Sequence, residues 1–130
     1  MKLSAIHHVA IIVSDYAKAK NFYVNKLGFE VIRENYRSDR SDWKIDLKTG
    51  DGPEAIELEI FVEPNPPERI TRPEACGLRH LSFKVDNINT TVQELQQQGI
   101  ECEPIRVDKY THKKMTFFFD PDALPLELHE

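Results

Sequence analysis

The sequence predicts an α+β fold in which one strand–helix–strand–strand–strand unit occurs twice. Residues 6–31 and 78–103 both open with a strand-like run whose third residue is histidine, and both continue through an amphipathic helix to a glycine. Each half then gives short strand-like runs and closes on a similar tetrad, AIEL at 55–58 and PLEL at 125–128. Such repetition is typical of a duplicated supersecondary unit, so we predict two βαβββ modules.

The two predicted helices carry the clearest periodic signals. The first runs over about residues 15–27, with Asp15 near its N-cap, and the second over about residues 87–98. Gly28 and Gly99 follow the helices, as glycine commonly does at a helix C-terminus. The apolar stripes comprise Ala19, Phe22, Tyr23 and Leu27 in the first helix and Ile88, Val92 and Leu95 in the second.

The proline-rich stretch between the repeats predicts the domain organisation. Residues 63–77 contain four prolines and are interpreted as an extended linker between module one, 5–62, and module two, 78–130, of a single domain. A linker of this length either folds the second module back or carries it to another subunit. We expect a homodimer, because the open edges of such sheets are usually covered by a partner.

Composition and charge exclude several classes of function. The 130 residues carry a formal net charge of −5, which argues against a nucleic-acid or anionic-membrane partner. No apolar run approaches the ~20 residues of a membrane helix, and the N-terminal residues do not resemble a signal peptide. We therefore expect a cytoplasmic protein in which Cys76 and Cys102 stay reduced.

Strand alternation places histidines and glutamates on one face of each predicted sheet. His8 lies on the other face of its strand from the apolar row of Val9, Ile11 and Val13. His80 likewise lies on the other face from Leu81, Phe83 and Val85. In the closing strands, Glu57 and Glu127 alternate with packed residues in the same way. A single outward-facing histidine or glutamate is usually a solvated surface residue. Four of them repeated in register favour a metal site instead, since crowded carboxylates need a cation.

The donor types limit the choice of ion. Imidazole nitrogen and carboxylate oxygen, without sulfur, suit one divalent ion such as Ni, Co, Fe, Mn or Zn. The predicted ligands are His8, Glu57, His80 and Glu127. On an octahedral ion, four protein ligands leave two positions for water or a chelating substrate.

These residues resemble the vicinal oxygen chelate superfamily of glyoxalases, bleomycin-resistance proteins and extradiol dioxygenases. The resemblance covers essentially the whole chain and rests on HHVAIIVSD with FYVNKLGFEV, AIEL, LRHLSFKVD and FFFDPDALPLELHE, with Ala123 in place of a usual glycine. It implies an eight-stranded cup, formed by paired βαβββ modules around the metal. The ligand set is most similar to that of glyoxalase I, where all four residues bind the ion.

The resemblance implies a glyoxalase I-like lyase of the lactoylglutathione lyase class, closest to a short bacterial subgroup. Bacterial glyoxalase I has an arginine four residues after the first histidine and an asparagine four after the first glutamate. Ile12 and Phe61 stand at these positions. We therefore expect weak activity on the hemithioacetal of glutathione. The expected substrate is a different small molecule that is anionic and α-oxygenated, and conjugates of other thiols belong to this class.

Residue roles follow from that chemistry. Glu127 is the predicted base that moves a proton between adjacent carbons, with Glu57 as its symmetric partner. A strand end close to the last residue of the sequence is expected to move at little packing cost, which favours Glu127. The weaker substrate-binding candidates are Arg37, Arg106, Lys113 and Phe117.

Two other functions remain open from sequence. The same fold serves non-catalytic proteins that bind or sequester a small molecule or a metal. It also serves metal-dependent dioxygenases and thiol transferases, which the carboxylate at Glu57 disfavours.

Overall fold

The computed structural model describes residues 1–130, which divide into two compact units, Met1–Pro67 and Glu68–Glu130. The boundary falls inside the predicted linker. Each unit contains one four-stranded sheet and helical structure in the order expected of a βαβββ module. The predicted α+β repeat is therefore confirmed.

The first unit is built around a sheet in which the first and last strands are neighbours. Its elements are β1 (His8–Val13), α1 (Tyr16–Lys20), a π-helix (Asn21–Lys26), β2 (Glu30–Arg37), β3 (Asp42–Lys48) and β4 (Glu57–Val62). The strand order is β1-β4-β3-β2, with β1 parallel to β4 and the other pairs antiparallel. The crossover thus places β1 beside β4, although many residues separate them in sequence.

The first helix changes its hydrogen-bond pattern midway. Asp15 caps it by accepting a hydrogen bond from the Lys18 backbone N–H at 2.8 Å, as the sequence predicts. After Lys20 the turn widens into the π-helix, and the Leu27 N–H donates to the Phe22 carbonyl at 2.9 Å. The helix therefore spans nearly the predicted residues, and its second half is π-helical rather than α-helical.

The second unit repeats this architecture with shorter strands. Its elements are β5 (Leu81–Lys84), α2 (Ile88–Gln97), β6 (Arg106–Val107), β7 (Lys114–Phe119) and β8 (Pro125–His129). The strand order is β5-β8-β7-β6, and β5 is parallel to β8. Asn87 caps α2 by accepting a hydrogen bond from the Thr90 backbone N–H at 3.1 Å. None of the helices has the length and apolar character needed to cross a bilayer.

Burial alternates along the strands and separates a core face from a polar face. Leu58 and Ile60 are buried in β4, and Leu126 and Leu128 are buried in β8. Full burial of such a side chain contributes about 1.5–3 kcal/mol, which fixes the face that each strand turns to the core. In β1, Ile11 and Val13 are buried while His8 stays exposed, so the face predicted for His8 is confirmed.

The turn between β7 and β8 gives a stability prediction. Ala123 has φ = 64°, and the Asp120 carboxylate accepts hydrogen bonds from the Asp122 and Leu124 backbone N–H groups. An alanine in the left-handed conformation is strained by about 1–2 kcal/mol, and glycine removes this strain. Glycine also makes the unfolded chain more flexible, which offsets about 0.4–1 kcal/mol of the gain. Ala123→Gly is therefore expected to raise the free energy of unfolding by about 0.5 kcal/mol, measured by urea denaturation. A loss of stability would contradict this account of the turn.

Candidate metal-binding pairs

The second unit brings one predicted histidine and one predicted glutamate into direct contact. His80 precedes β5, and Glu127 lies in the neighbouring parallel strand β8. The His80 Nε2 atom lies 2.8 Å from the Glu127 Oε2 atom. Glu127 is 6% exposed, so its carboxylate is largely removed from water. This arrangement fits an imidazole and a carboxylate that share one cation.

The first unit contains a similar pair with a different glutamate. The His8 Nε2 atom lies 3.8 Å from the Glu59 Oε2 atom. Glu57, which the sequence selects, instead accepts a hydrogen bond from the Arg33 guanidinium at 3.1 Å. Both glutamates lie on the histidine face of β4, because they are two residues apart in the strand. The carboxylate in contact with His8 is thus Glu59.

The register of the two parallel strand pairs gives the same result. Glu59 lies opposite Ala10, which is two residues after His8. Glu127 lies opposite Ser82, which is two residues after His80. Glu59 and Glu127 therefore occupy equivalent positions in the two units, whereas Glu57 lies directly opposite His8.

The sequence does not single out Glu59, because the alignment of the two repeats is ambiguous at this point. Leu58-Glu59-Ile60 matches Leu126-Glu127-Leu128 as well as Ile56-Glu57-Leu58 does. The alternation of leucine and glutamate was the available signal, since it offers two glutamates on one face.

A network of charged side chains, of which only Asp46 is fully buried, surrounds Glu59 in the first unit. The Lys44 ammonium lies 3.1 Å from Glu59 and 2.5 Å from Asp46, and Arg33 forms ion pairs with Asp46 and Glu57. Burial disfavours the charged ammonium, yet its hydrogen bonds to Asp46 and Glu59 outweigh that effect and raise the pKa of Lys44 above its usual value. The Glu59 carboxylate is therefore already partly neutralised by a lysine.

Glu127 has a different electrostatic environment. No lysine or arginine lies within ion-pair distance of it, and its only such partner is His80. Glu127 occupies the middle of β8, which pairs with β5 on one side and β7 on the other. The expectation of a loose strand end is therefore wrong, because both neighbours hold this strand.

The predicted substrate-binding residues separate into two groups. Arg106 and Phe117 line a cavity in the second unit, next to His80. Arg37 instead forms hydrogen bonds of 2.6 and 2.5 Å to the buried Asp42, which is a structural role in the first unit. Lys113 is exposed and is not part of the cavity lining.

The donor chemistry of the two pairs fits a divalent ion. The structure contains no group of three or more histidine, cysteine, aspartate or glutamate side chains placed to hold a metal, so each unit supplies a pair. Neutral imidazole and carboxylate are suitable ligands for first-row divalent ions. The unneutralised carboxylate of Glu127, 2.8 Å from an imidazole, is the donor arrangement that most needs a cation.

Comparison with known proteins gives a family that spans both units. The sequence model of the Glyoxalase/Bleomycin resistance protein/Dioxygenase superfamily matches residues 5–128. The uncharacterized protein YwkD of Bacillus subtilis (strain 168) is 60% identical over 130 residues, covering 100% of this chain and 99% of that protein. The crystal structure of a glyoxalase family protein from Enterococcus faecalis is 59% identical, with a TM-score of 0.91 and full coverage of both chains.

More distant similarity extends to proteins with named activities. The mitochondrial methylmalonyl-CoA epimerase of Homo sapiens is 27% identical over 119 residues, which are 92% of this chain and 68% of that protein. The Leishmania major glyoxalase I structure, at 20% identity, shares the fold with a TM-score of 0.73 over 98% of this chain and 87% of that one. These matches and the duplicated βαβββ units show that the chain belongs to the Glyoxalase/Bleomycin resistance protein/Dioxygenase superfamily.

Proposed function

We propose that the protein is a divalent-metal-dependent, glyoxalase I-like isomerase or lyase. Its substrate is a small α-oxygenated compound, such as a 2-oxoaldehyde–thiol hemithioacetal. The observation that carries the proposal is the repeated contact between an imidazole and a carboxylate, His80 with Glu127 and His8 with Glu59. A repeat that served packing alone has no need of this polar pair in both units.

The proposal assigns the two pairs to one ion. His8, Glu59, His80 and Glu127 are the proposed ligands, and Glu57 is the alternative that the aligned tetrads select. When bound, a divalent ion supplies Lewis-acid chemistry, which acidifies the C–H next to a carbonyl and stabilises negative charge on the oxygen. The histidines act as neutral ligands and hold their position throughout.

Proton transfer is assigned to Glu127. Lys44 already forms an ion pair with Glu59, so that carboxylate has a cationic partner before any ion or substrate binds. Glu127 has only His80 as an ion-pair partner, and its burial strengthens its electrostatic interaction with a substrate proton. The side chain of Glu127 accepts the proton from one carbon and returns it to the neighbouring carbon.

The distant relatives support this class of chemistry. An epimerase inverts the configuration at a carbon, which requires removal and return of a proton when that carbon lies next to a carbonyl. The similarity to methylmalonyl-CoA epimerase covers 92% of this chain. The glyoxalase I structure supports only the fold.

A pair of matched substitutions tests which glutamate belongs to the first half-site. Glu59→Gln is expected to weaken metal binding by at least about tenfold, because it removes the carboxylate in contact with His8. Glu57→Gln is expected to change the affinity by less than about threefold, since the Glu57 carboxylate pairs with Arg33. Isothermal titration with Ni²⁺ measures both. A larger effect at Glu57 would restore the assignment made from the aligned tetrads.

The function itself is tested by hydrogen exchange at carbon. Metal-loaded and EDTA-treated protein are incubated in D₂O with a panel of 2-oxoaldehydes, each alone and with several thiols. The proposal predicts metal-dependent incorporation of deuterium into product for at least one combination, with little turnover of the glutathione adduct. Binding of panel members without any exchange would instead indicate a binding protein.

A further inference from the structure

The second unit contains an open cavity that the proposed metal chemistry does not explain. Its volume is about 540 Å³, and all of its lining residues belong to this unit. The lining includes Thr71, Arg72, Arg79, His80, Arg106 and Phe117. The cavity is therefore large enough for a small metabolite and reaches one of the proposed metal ligands.

The charges of the lining leave one positive group uncompensated. Arg79 lies 2.8 Å from the Glu74 carboxylate, and Arg106 lies 3.0 Å from the Glu103 carboxylate. Arg72 forms no ion pair. Since all five side chains line the cavity, three guanidinium groups face two carboxylates. This excess favours a ligand that carries a negative charge.

The segment that carries Arg72 folds back on itself through another arginine. The Arg69 guanidinium donates to the Leu78 carbonyl at 2.7 Å and to the Arg79 carbonyl at 3.1 Å. These bonds join the two ends of residues 69–79, so Arg72 lies in a closed loop at the wall of the cavity.

The anion site and the metal ligand share one aromatic ring. The His80 ring centroid lies 5.1 Å from that of Phe117, and the Arg106 guanidinium carbon lies 5.4 Å from the same centroid. His80 and Arg106 are thus at most about 10.5 Å apart, the sum of these two distances. A short ligand can reach both.

We propose that this cavity binds the anionic end, a carboxylate or a phosphate-type group, of the substrate whose oxygens chelate the metal. Arg72 and Arg106 are the specificity-determining residues. The link to catalysis rests on the proposed function, whereas anion binding by the cavity does not.

The first experiment measures anion binding without metal. EDTA-treated protein is titrated with sodium phosphate and, separately, with sodium propionate, and the arginine side-chain N–H resonances are followed by NMR. We expect the Arg72 and Arg106 signals to shift saturably with at least one of the two anions. No saturable shift with either anion would overturn the proposal.

The second experiment measures the contribution of the charge to ligand affinity. Co²⁺-loaded protein is titrated with three compounds that share a 2-oxo acid head: 2-oxoglutarate, 2-oxo-4-phosphonobutanoate and uncharged-ended 2-oxopentanoate. We expect at least one of the charged-ended compounds to bind about tenfold more tightly than 2-oxopentanoate, as is typical of hydrogen bonds between charged groups. The better of the two identifies carboxylate or phosphate as the preferred group.

Matched variants assign that gain to the cavity. Arg72→Gln and Arg106→Gln are expected to remove most of the tenfold preference for the charged-ended compounds. The control is Lys109→Gln, which makes the same change of charge outside the lining and is expected to retain the preference.

The two proposals fail in distinguishable ways. Equal affinity for all three compounds, with binding that still needs Co²⁺, would overturn the cavity proposal and leave the metal chemistry intact. Saturable NMR shifts in metal-free protein that fails to bind Co²⁺ would support the cavity and overturn the proposed function. An undiminished preference in Arg72→Gln and Arg106→Gln would also overturn the cavity proposal.

Discussion

At saturating metal, Glu127→Gln is expected to lose turnover by about a hundred- to ten-thousandfold. Glutamine has the shape of glutamate and keeps an oxygen donor, but it cannot accept a proton at neutral pH. Because Glu127 has no lysine or arginine partner, its loss disturbs no other ion pair than that with His80. The measurement is deuterium exchange at the substrate carbon, with bound metal determined on the same sample.

The control for this variant is Glu59→Gln, compared at saturating metal. Glu59 is proposed as a ligand that Lys44 neutralises, so its replacement is expected to reduce exchange less than Glu127→Gln does once the ion is bound. Wild-type exchange in Glu127→Gln would place the base elsewhere and remove the central residue of the proposed mechanism.

Replacing either proposed histidine ligand by alanine is expected to weaken metal binding by at least about 100-fold. Loss of an outer-shell partner typically costs about 10- to 100-fold, and loss of a ligand costs more. Both His8→Ala and His80→Ala should show the effect, because the two units supply equivalent pairs. Competition with a chromophoric chelator measures the affinity.

His112→Asn provides the control for the histidine variants. His112 is exposed, and its φ of 59° is tolerated by asparagine. Its replacement is expected to leave metal affinity unchanged. Full affinity in both His8→Ala and His80→Ala would reject the assignment of the ligands.

The sequence was sufficient to predict the repeat and the face that carries each site. Apolar residues alternate with polar ones in β4 and β8, so the burial of Leu58, Ile60, Leu126 and Leu128 determines where the intervening glutamates point. The ends of the helices were also predictable, because the Asp15 and Asn87 caps are local interactions. Local signals and period-two alternation therefore predicted most of the fold.

The choice between Glu57 and Glu59 could not be made from alternation. Both glutamates share one face of β4, and only the hydrogen-bonded register between β1 and β4 distinguishes them. That register joins strands far apart in sequence, and no local propensity specifies it. The lysine that neutralises Glu59 comes from a third strand, β3. The position of its side chain could not be predicted from the sequence either.

The cavity was predicted only in part. Arg106 was predicted because a basic residue near the edge of the expected cup suits an anionic substrate, and Phe117 because an aromatic side chain suits the lining of that cup. Thr71 and Arg72 lie in the stretch interpreted as a linker, where proline content predicts an extended chain. The hydrogen bonds from Arg69 that hold this stretch as a loop are tertiary contacts, which composition does not indicate.

The most direct test of the account is the number of divalent ions that one chain binds. Metal-free protein is titrated with Co²⁺, and the visible absorption of the bound ion gives both stoichiometry and coordination. We predict one tightly bound ion per chain, because the pairs His8 with Glu59 and His80 with Glu127 are proposed as ligands of the same ion. Two independent ions per chain, or no bound ion, would contradict it.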